Sequence, residues 1–107
     1  MNDILEKIQA LVASDDVRIS EHSYDSMLDD GLYAREIVAG ISTAILVEAY
    51  PDFGKGPAVL VMQRDNAGEP IHVVWGIPKG HERPAVLVTV YRPDPKRWDE
   101  SLTRRLT

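Results

Sequence analysis

The chain contains no cysteine, which excludes disulfides and thiolate metal sites and points to a reducing, cytoplasmic setting. It has no apolar run near the roughly 18 residues that a membrane span needs. Asn2 and Asp3 stand where a signal peptide would carry basic residues, so neither span nor leader is expected. Positive charge is in short supply, 12 Lys and Arg against 17 Asp and Glu, a net charge of −5. That balance argues against general nucleic-acid binding, which needs cations for phosphate. Phosphate loops, nucleophile elbows and dinucleotide fingerprints are absent, and Gly54-Lys55-Gly56 lacks their context. The histidines His22, His72 and His81, even with Asp25 or Glu82, have no recognised ligand spacing. No metal or cofactor is therefore expected.

What is present is the composition of an ordinary globule. At 107 residues, 44% apolar and 27% charged, the chain is expected to form one domain around one core. No internal repeat, low-complexity tract or linker interrupts residues 1–107. The charge is unevenly spread. Residues 1–52 hold three basic and eleven acidic side chains, and residues 53–107 hold nine basic and six acidic ones. The first half is thus acidic and the second basic, which permits a local phosphate-attracting surface on an acidic protein. Solvated charge without a target is the plainer account.

Periodicity divides the chain the same way. Ile4, Leu5, Ile8, Leu11 and Val12 recur at helical spacing over residues 2–13. Residues 17–19 read as a short strand or extended link. Ser20 is an N-cap for a helix over residues 21–30, with Gly31 as its left-handed stop. Tyr24, Met27 and Leu28 are the expected apolar face of that helix, with His22 on the other side. Leu32 and Ile37 have the spacing of a hydrophobic staple around Tyr33, opening a short helix over residues 34–40. From residue 44 the period becomes extended. Strands are expected over residues 44–50, 58–63, 71–77 and 85–92, the last two forming a central hairpin across the loop 78–84. Residues 96–105 read as a short polar helix or tail pinned by Trp98. Helices followed by strands predict an α+β fold, two or three helices packed on a four-stranded, mainly antiparallel sheet.

Candidate chemistry centres on the hairpin. Alternation puts Ile71, Val73 and Trp75 on one face and His72, Val74 and Gly76 on the other. In one register His72 lies opposite Val90 with Arg92 diagonal, and in the next it lies near Thr89 with Tyr91 diagonal. A metal-independent ribonuclease needs a base for the 2′-OH, an acid for the leaving oxygen, and cations on the phosphate. His22, His72, Tyr91 and Arg92, with Lys79 or Arg83 from the loop, have the side chains for those roles. Satisfied surface histidines and solubilising strand ends account for the same residues without catalysis.

Some blocks of the chain add a resemblance. VRISEH around His22, Met27, Gly31-Leu32, Ile71-His72-Val73-Val74 and LVTVYRPDPKRW through Trp98 follow one pattern. In it the chain resembles a small prokaryotic family catalogued as a domain of unknown function. That family looks like a distant relative of the RelE and BrnT toxin ribonucleases. The resemblance implies a RelE/BrnT-like fold, RNA as a substrate and an antitoxin-like protein partner. Ser26 and Asp30 stand where members of the pattern often carry arginine, which removes two cations beside His22. Two functions are therefore expected to compete. One is a toxin-type ribonuclease using His72 or His22 for proton transfer, Arg92 on the phosphate and Tyr91 for positioning. The other is a non-catalytic domain that binds a protein partner through its acidic helical face.

Overall fold

The computed structural model describes residues 3–99 and residue 103. The chain runs through α1 (Asp3–Ala13), β1 (Val17–Ile19), α2 (Glu21–Asp30), α3 (Ala34–Gly40) and a single 3-10 turn (Ile41–Thr43). The strands β2 (Ile45–Tyr50), β3 (Ala58–Arg64), β4 (Pro70–Gly76) and β5 (Ala85–Tyr91) follow. This is an α+β fold in which three helices cover one face of a five-stranded sheet of order β1-β5-β4-β3-β2. The hairpin strand β4 is central, with β5 and β3 antiparallel on either side. The expected four strands become five. Val17–Ile19 pairs in parallel with β5, making the sheet mixed. Among the described residues no helix is long and apolar enough to cross a membrane.

The helix-facing core follows from strand alternation. Val59, Val61, Ile71, Val73, Trp75, Leu87 and Val90 point toward the helices and meet Ile8, Met27, Leu32, Ile37 and Ile41. Leu32 and Ile37 both enter this cluster and Tyr33 is the α3 N-cap, as the staple requires. The amide of Gln63 is the polar link inside the layer. Its Oε1 accepts from Trp75 Nε1 at 2.9 Å, and its Nε2 donates to the Ile37 carbonyl at 2.8 Å. Gly40 keeps that link intact, since a Cβ there would lie 2.8 Å from Gln63 Nε2.

The second helix docks differently from its expected apolar face. Ser20 Oγ accepts from the Ser23 amide and donates to the Val88 carbonyl, while Ser23 Oγ donates to the Leu87 carbonyl. These short side chains bring α2 onto β5 where the β4–β5 register shifts and Val88 has no opposite partner. The bulge thereby satisfies its carbonyls from the helix. Only Ser23 and Met27 of α2 are buried, and Tyr24 and Leu28 are left 52% and 80% exposed. The apolar-face expectation therefore holds for Met27 and is corrected for the other two. Gly31, at φ 66°, stops the helix in the left-handed conformation anticipated for it.

Among the described residues no helix lies on the other face of the sheet. Its rows are read directly from the pairing. Ile45, Met62, His72 and Tyr91 form one row. Tyr50, Ala58, Gly76, Val86 and Arg18 form another, across all five strands. Residues 95–97 make a turn and Trp98 a buried isolated bridge, so of the helix or tail expected over 96–105 the described part is a tail rather than a helix. The rest of that expectation lies outside the described residues.

Candidate functional site

His72 faces Tyr91, one step beyond the Val90 register and two beyond the Thr89 register expected for it, because the bulge at Val88 offsets this end of the hairpin. Its side chain is 0% exposed. The Trp98 ring closes over it edge-on, with centroids 4.4 Å apart and planes at 90°. Tyr91 sits 5.4 Å away at 75°, with its hydroxyl 3.3 Å from His72 Nδ1. The result is a sealed aromatic cluster. A general base must come within hydrogen-bond distance of the 2′-OH, and here Trp98 and Tyr91 pack against the His72 ring.

Arg92 is committed elsewhere. Its Nη2 lies 3.0 Å from Asp65 Oδ2 and 3.4 Å from the Asp30 carbonyl. Asp65 in turn accepts from the Ala67 and Glu69 amides, each at 2.9 Å, and so builds the β3–β4 turn. The Glu69 amide is the largest influence on the Asp65 carboxyl and lowers it; burial opposes this, and Arg92 with the Ala67 amide adds enough to keep the carboxyl below its usual value. Arg92 is thus a clasp joining the end of α2 to that turn. His22 is exposed on the side of α2 that faces away from the sheet. The structure therefore joins His72 to Tyr91, places the Arg92 guanidinium on Asp65, and leaves His22 exposed on α2.

One of the two loop cations, Arg83, is also engaged. Arg83 pairs with Asp16 through two nitrogens, at 2.6 and 3.1 Å, and Lys7 meets Glu82 at 2.7 Å. These contacts lower the Asp16 and Glu82 carboxyls and raise Arg83. Lys79 and His81 remain exposed. Among the described residues no group of three or more His, Asp or Glu side chains could hold a metal ion.

Residues 19–92 match the family described as a domain of unknown function (DUF4258). The chain belongs to that family. The matched DUF4258 segment runs from the end of β1 to Arg92 and so includes α2, the hairpin and the clasp. It carries no stated activity, and the likeness to RelE and BrnT ribonucleases gains nothing from it. No curated protein and no solved structure matches the chain.

Two surfaces of this DUF4258 domain carry uncommitted chemistry. On α2, Tyr24 and Leu28 lie one turn apart in solvent, beside Glu21, Asp25 and Asp29 at successive four-residue steps. Tyr33, the N-cap of α3, is also 68% exposed. The signal for this surface was available in Ser20, Ser23 and Ser26, a small polar stripe fit to lie on a strand. The second surface is a cleft of about 280 Å³ at the Arg18 end of the open sheet face. Its floor is Val86, Val88, Gly76 and Ala58, and its wall includes Phe53, Lys55 and Gly56 from the β2–β3 loop. The alternation of β4 had already set Gly76 on the His72 face, but the partner rows were needed to see a hollow.

Proposed function

We propose that this domain is a cytoplasmic protein-interaction module, without catalysis of its own, that holds a basic segment of a partner on the α2–α3 face. The observation that carries the reading is the outward Leu28, with Tyr24 one turn before it, a ladder of three carboxylates alongside, and Tyr33 exposed at the start of α3. A monomer gains nothing by leaving such a strip in water, and contiguous exposed apolar surface rimmed by charge is the signature of a docking site. The acidic ladder selects lysine or arginine in the partner and speeds encounter, while the apolar strip supplies the retained contact. A helical or extended segment with two or three apolar anchors flanked by basic residues has the matching chemistry.

The RNA-cleaving alternative has less support. It needs an imidazole and a guanidinium on one open patch. His72 is sealed beneath Trp98, and Arg92 is held by Asp65. The two readings separate cleanly in a peptide-display selection run beside an RNA-cleavage assay in EDTA. The interaction reading predicts enriched peptides with Lys or Arg around Leu or aromatic anchors, loss of that enrichment in Leu28→Lys and Asp25→Lys, and intact RNA. Enrichment that ignores both substitutions overturns it. RNA cleavage that disappears in Arg92→Ala restores the ribonuclease.

A further inference from the structure

We propose that the cleft at the Arg18 end of the open sheet face binds a small anion carrying a flat unsaturated body, of the nucleoside monophosphate class. The argument begins with the row Tyr50, Ala58, Gly76, Val86 and Arg18, which crosses all five strands. Its two central positions hold the smallest side chains on the face, so the sheet is hollow there. Gly76 has Pro57 O and Val88 Cγ2 3.3 and 3.6 Å from where a Cβ would lie, so any larger residue would crowd the floor.

The loop over residues 51–57 raises one wall of the hollow. It is fastened to the β4–β5 connection by Ile77 N to Pro57 O at 3.0 Å and Lys79 N to Lys55 O at 2.9 Å. That approach requires glycine at position 56, where φ is 128° and a Cβ would lie 2.0 Å from the Ile77 carbonyl. The fastened loop presents Phe53, 46% exposed, and Lys55 to the cleft, facing Arg18 and Val88. An exposed phenyl ring beside an apolar floor is a stacking platform for a planar base.

The cations identify the other half of the ligand. Arg18 and Lys55 make no side-chain hydrogen bond or ion pair with any described residue. Lys7, Arg64, Arg83 and Arg92, by contrast, each meet a carboxylate or a carbonyl. Among the described residues no acid lines the cleft. Asp16 holds Arg83, Glu48 accepts from the Tyr50 hydroxyl, and Asp52 is an exposed loop residue outside the lining. Two free cations at the rim of an apolar hollow, on a protein of net charge −5, form a local anion site with a guanidinium suited to bidentate phosphate contact. The volume of about 280 Å³ is at the small end for ligand pockets and fits one nucleotide rather than a dinucleotide. This assignment is independent of the α2–α3 docking surface.

The test is an NMR titration of the ¹⁵N-labelled domain with AMP, adenosine and inorganic phosphate. AMP should shift the amides of residues 18, 53–56, 76 and 86–88, with adenosine and phosphate each at least about tenfold weaker, since each supplies half of the contacts. Arg18→Gln and Phe53→Ala, both on exposed side chains, should each weaken AMP by about fivefold to tenfold while leaving the spectrum otherwise folded. Absence of shifts at about 5 mM AMP, weaker than any affinity worth assigning, overturns the proposal, as does AMP binding that ignores both substitutions. Tight binding of a short oligoribonucleotide without AMP binding also overturns it, assigning the face to a polymer.

Discussion

Replacing Gly40 with alanine should destabilise this protein, although glycine to alanine in a helix ordinarily stabilises by roughly 0.5–1 kcal/mol. The reason is the Gln63 amide, whose Nε2 would lie 2.8 Å from the new methyl. That nitrogen cannot retreat freely, because it donates to the Ile37 carbonyl while the same amide accepts from Trp75 Nε1. Moving it leaves buried groups unpaired at a cost of roughly 1–3 kcal/mol each. Gln63→Ala should accordingly cost about 2–5 kcal/mol, since it unpairs the Trp75 N–H and the Ile37 carbonyl and opens a cavity. At roughly 4–8 °C per kcal/mol for a domain of this size, its melting midpoint should fall by about 8–40 °C. The informative variant is the double one. In the Gln63→Ala background the obstruction is gone, so Gly40→Ala should switch sign and become stabilising. Urea denaturation of the four proteins measures this directly. If Gly40→Ala has the same effect in both backgrounds, the Gln63 bridge does not hold α3 to the sheet and the reasoning fails.

Other consequences are open to measurement. Arg92→Ala and Asp65→Ala should show a coupling of about 0.5–1 kcal/mol in a double-mutant cycle, the size of a partly exposed pair. Zero coupling would free Arg92 for another role. Ser20→Ala should cost about 1–2 kcal/mol in urea unfolding, because one hydroxyl both caps α2 and serves the Val88 carbonyl. Asp65 and Asp16 are held below their ordinary 3.8, and Glu82 below 4.5. Groups lowered on folding stabilise fully above the ordinary value and lose that contribution as pH falls through the lowered one. Stability should therefore decline below about pH 4, and Asp65→Asn should flatten that decline; an unchanged slope would contradict the assignment.

The parts of the fold that could be read beforehand are those fixed by neighbours in sequence. Ser20 and Gly31 bound α2 because capping and the left-handed stop act within a turn or two, and Leu32 with Ile37 fixes α3 in the same way. The strands followed from runs of strand-forming residues, alternating in β4 but nearly all apolar in β3, which is buried on both faces. What could not be read depends on distant partners. Three residues at 17–19 become a strand only because β5 arrives beside them, far along the chain. His72 looked available for chemistry because its cover, Trp98, lies in another segment. Arg92 looked free because Asp65 read only as a turn residue. The bulge at Val88 hid twice, changing the partner of His72 and drawing the serines of α2 inward so that Tyr24 and Leu28 face out.

The central claim is that α2 and α3 present the working surface. The most direct measurement is an NMR titration of the labelled domain with a display-selected basic peptide, repeated across a range of salt concentrations. The account predicts shifts confined to residues 21–36 and affinity that weakens steadily with salt, with Leu28→Lys abolishing both. Shifts centred on β4 and β5 around His72 and Arg92, with residues 21–36 unmoved, would contradict it.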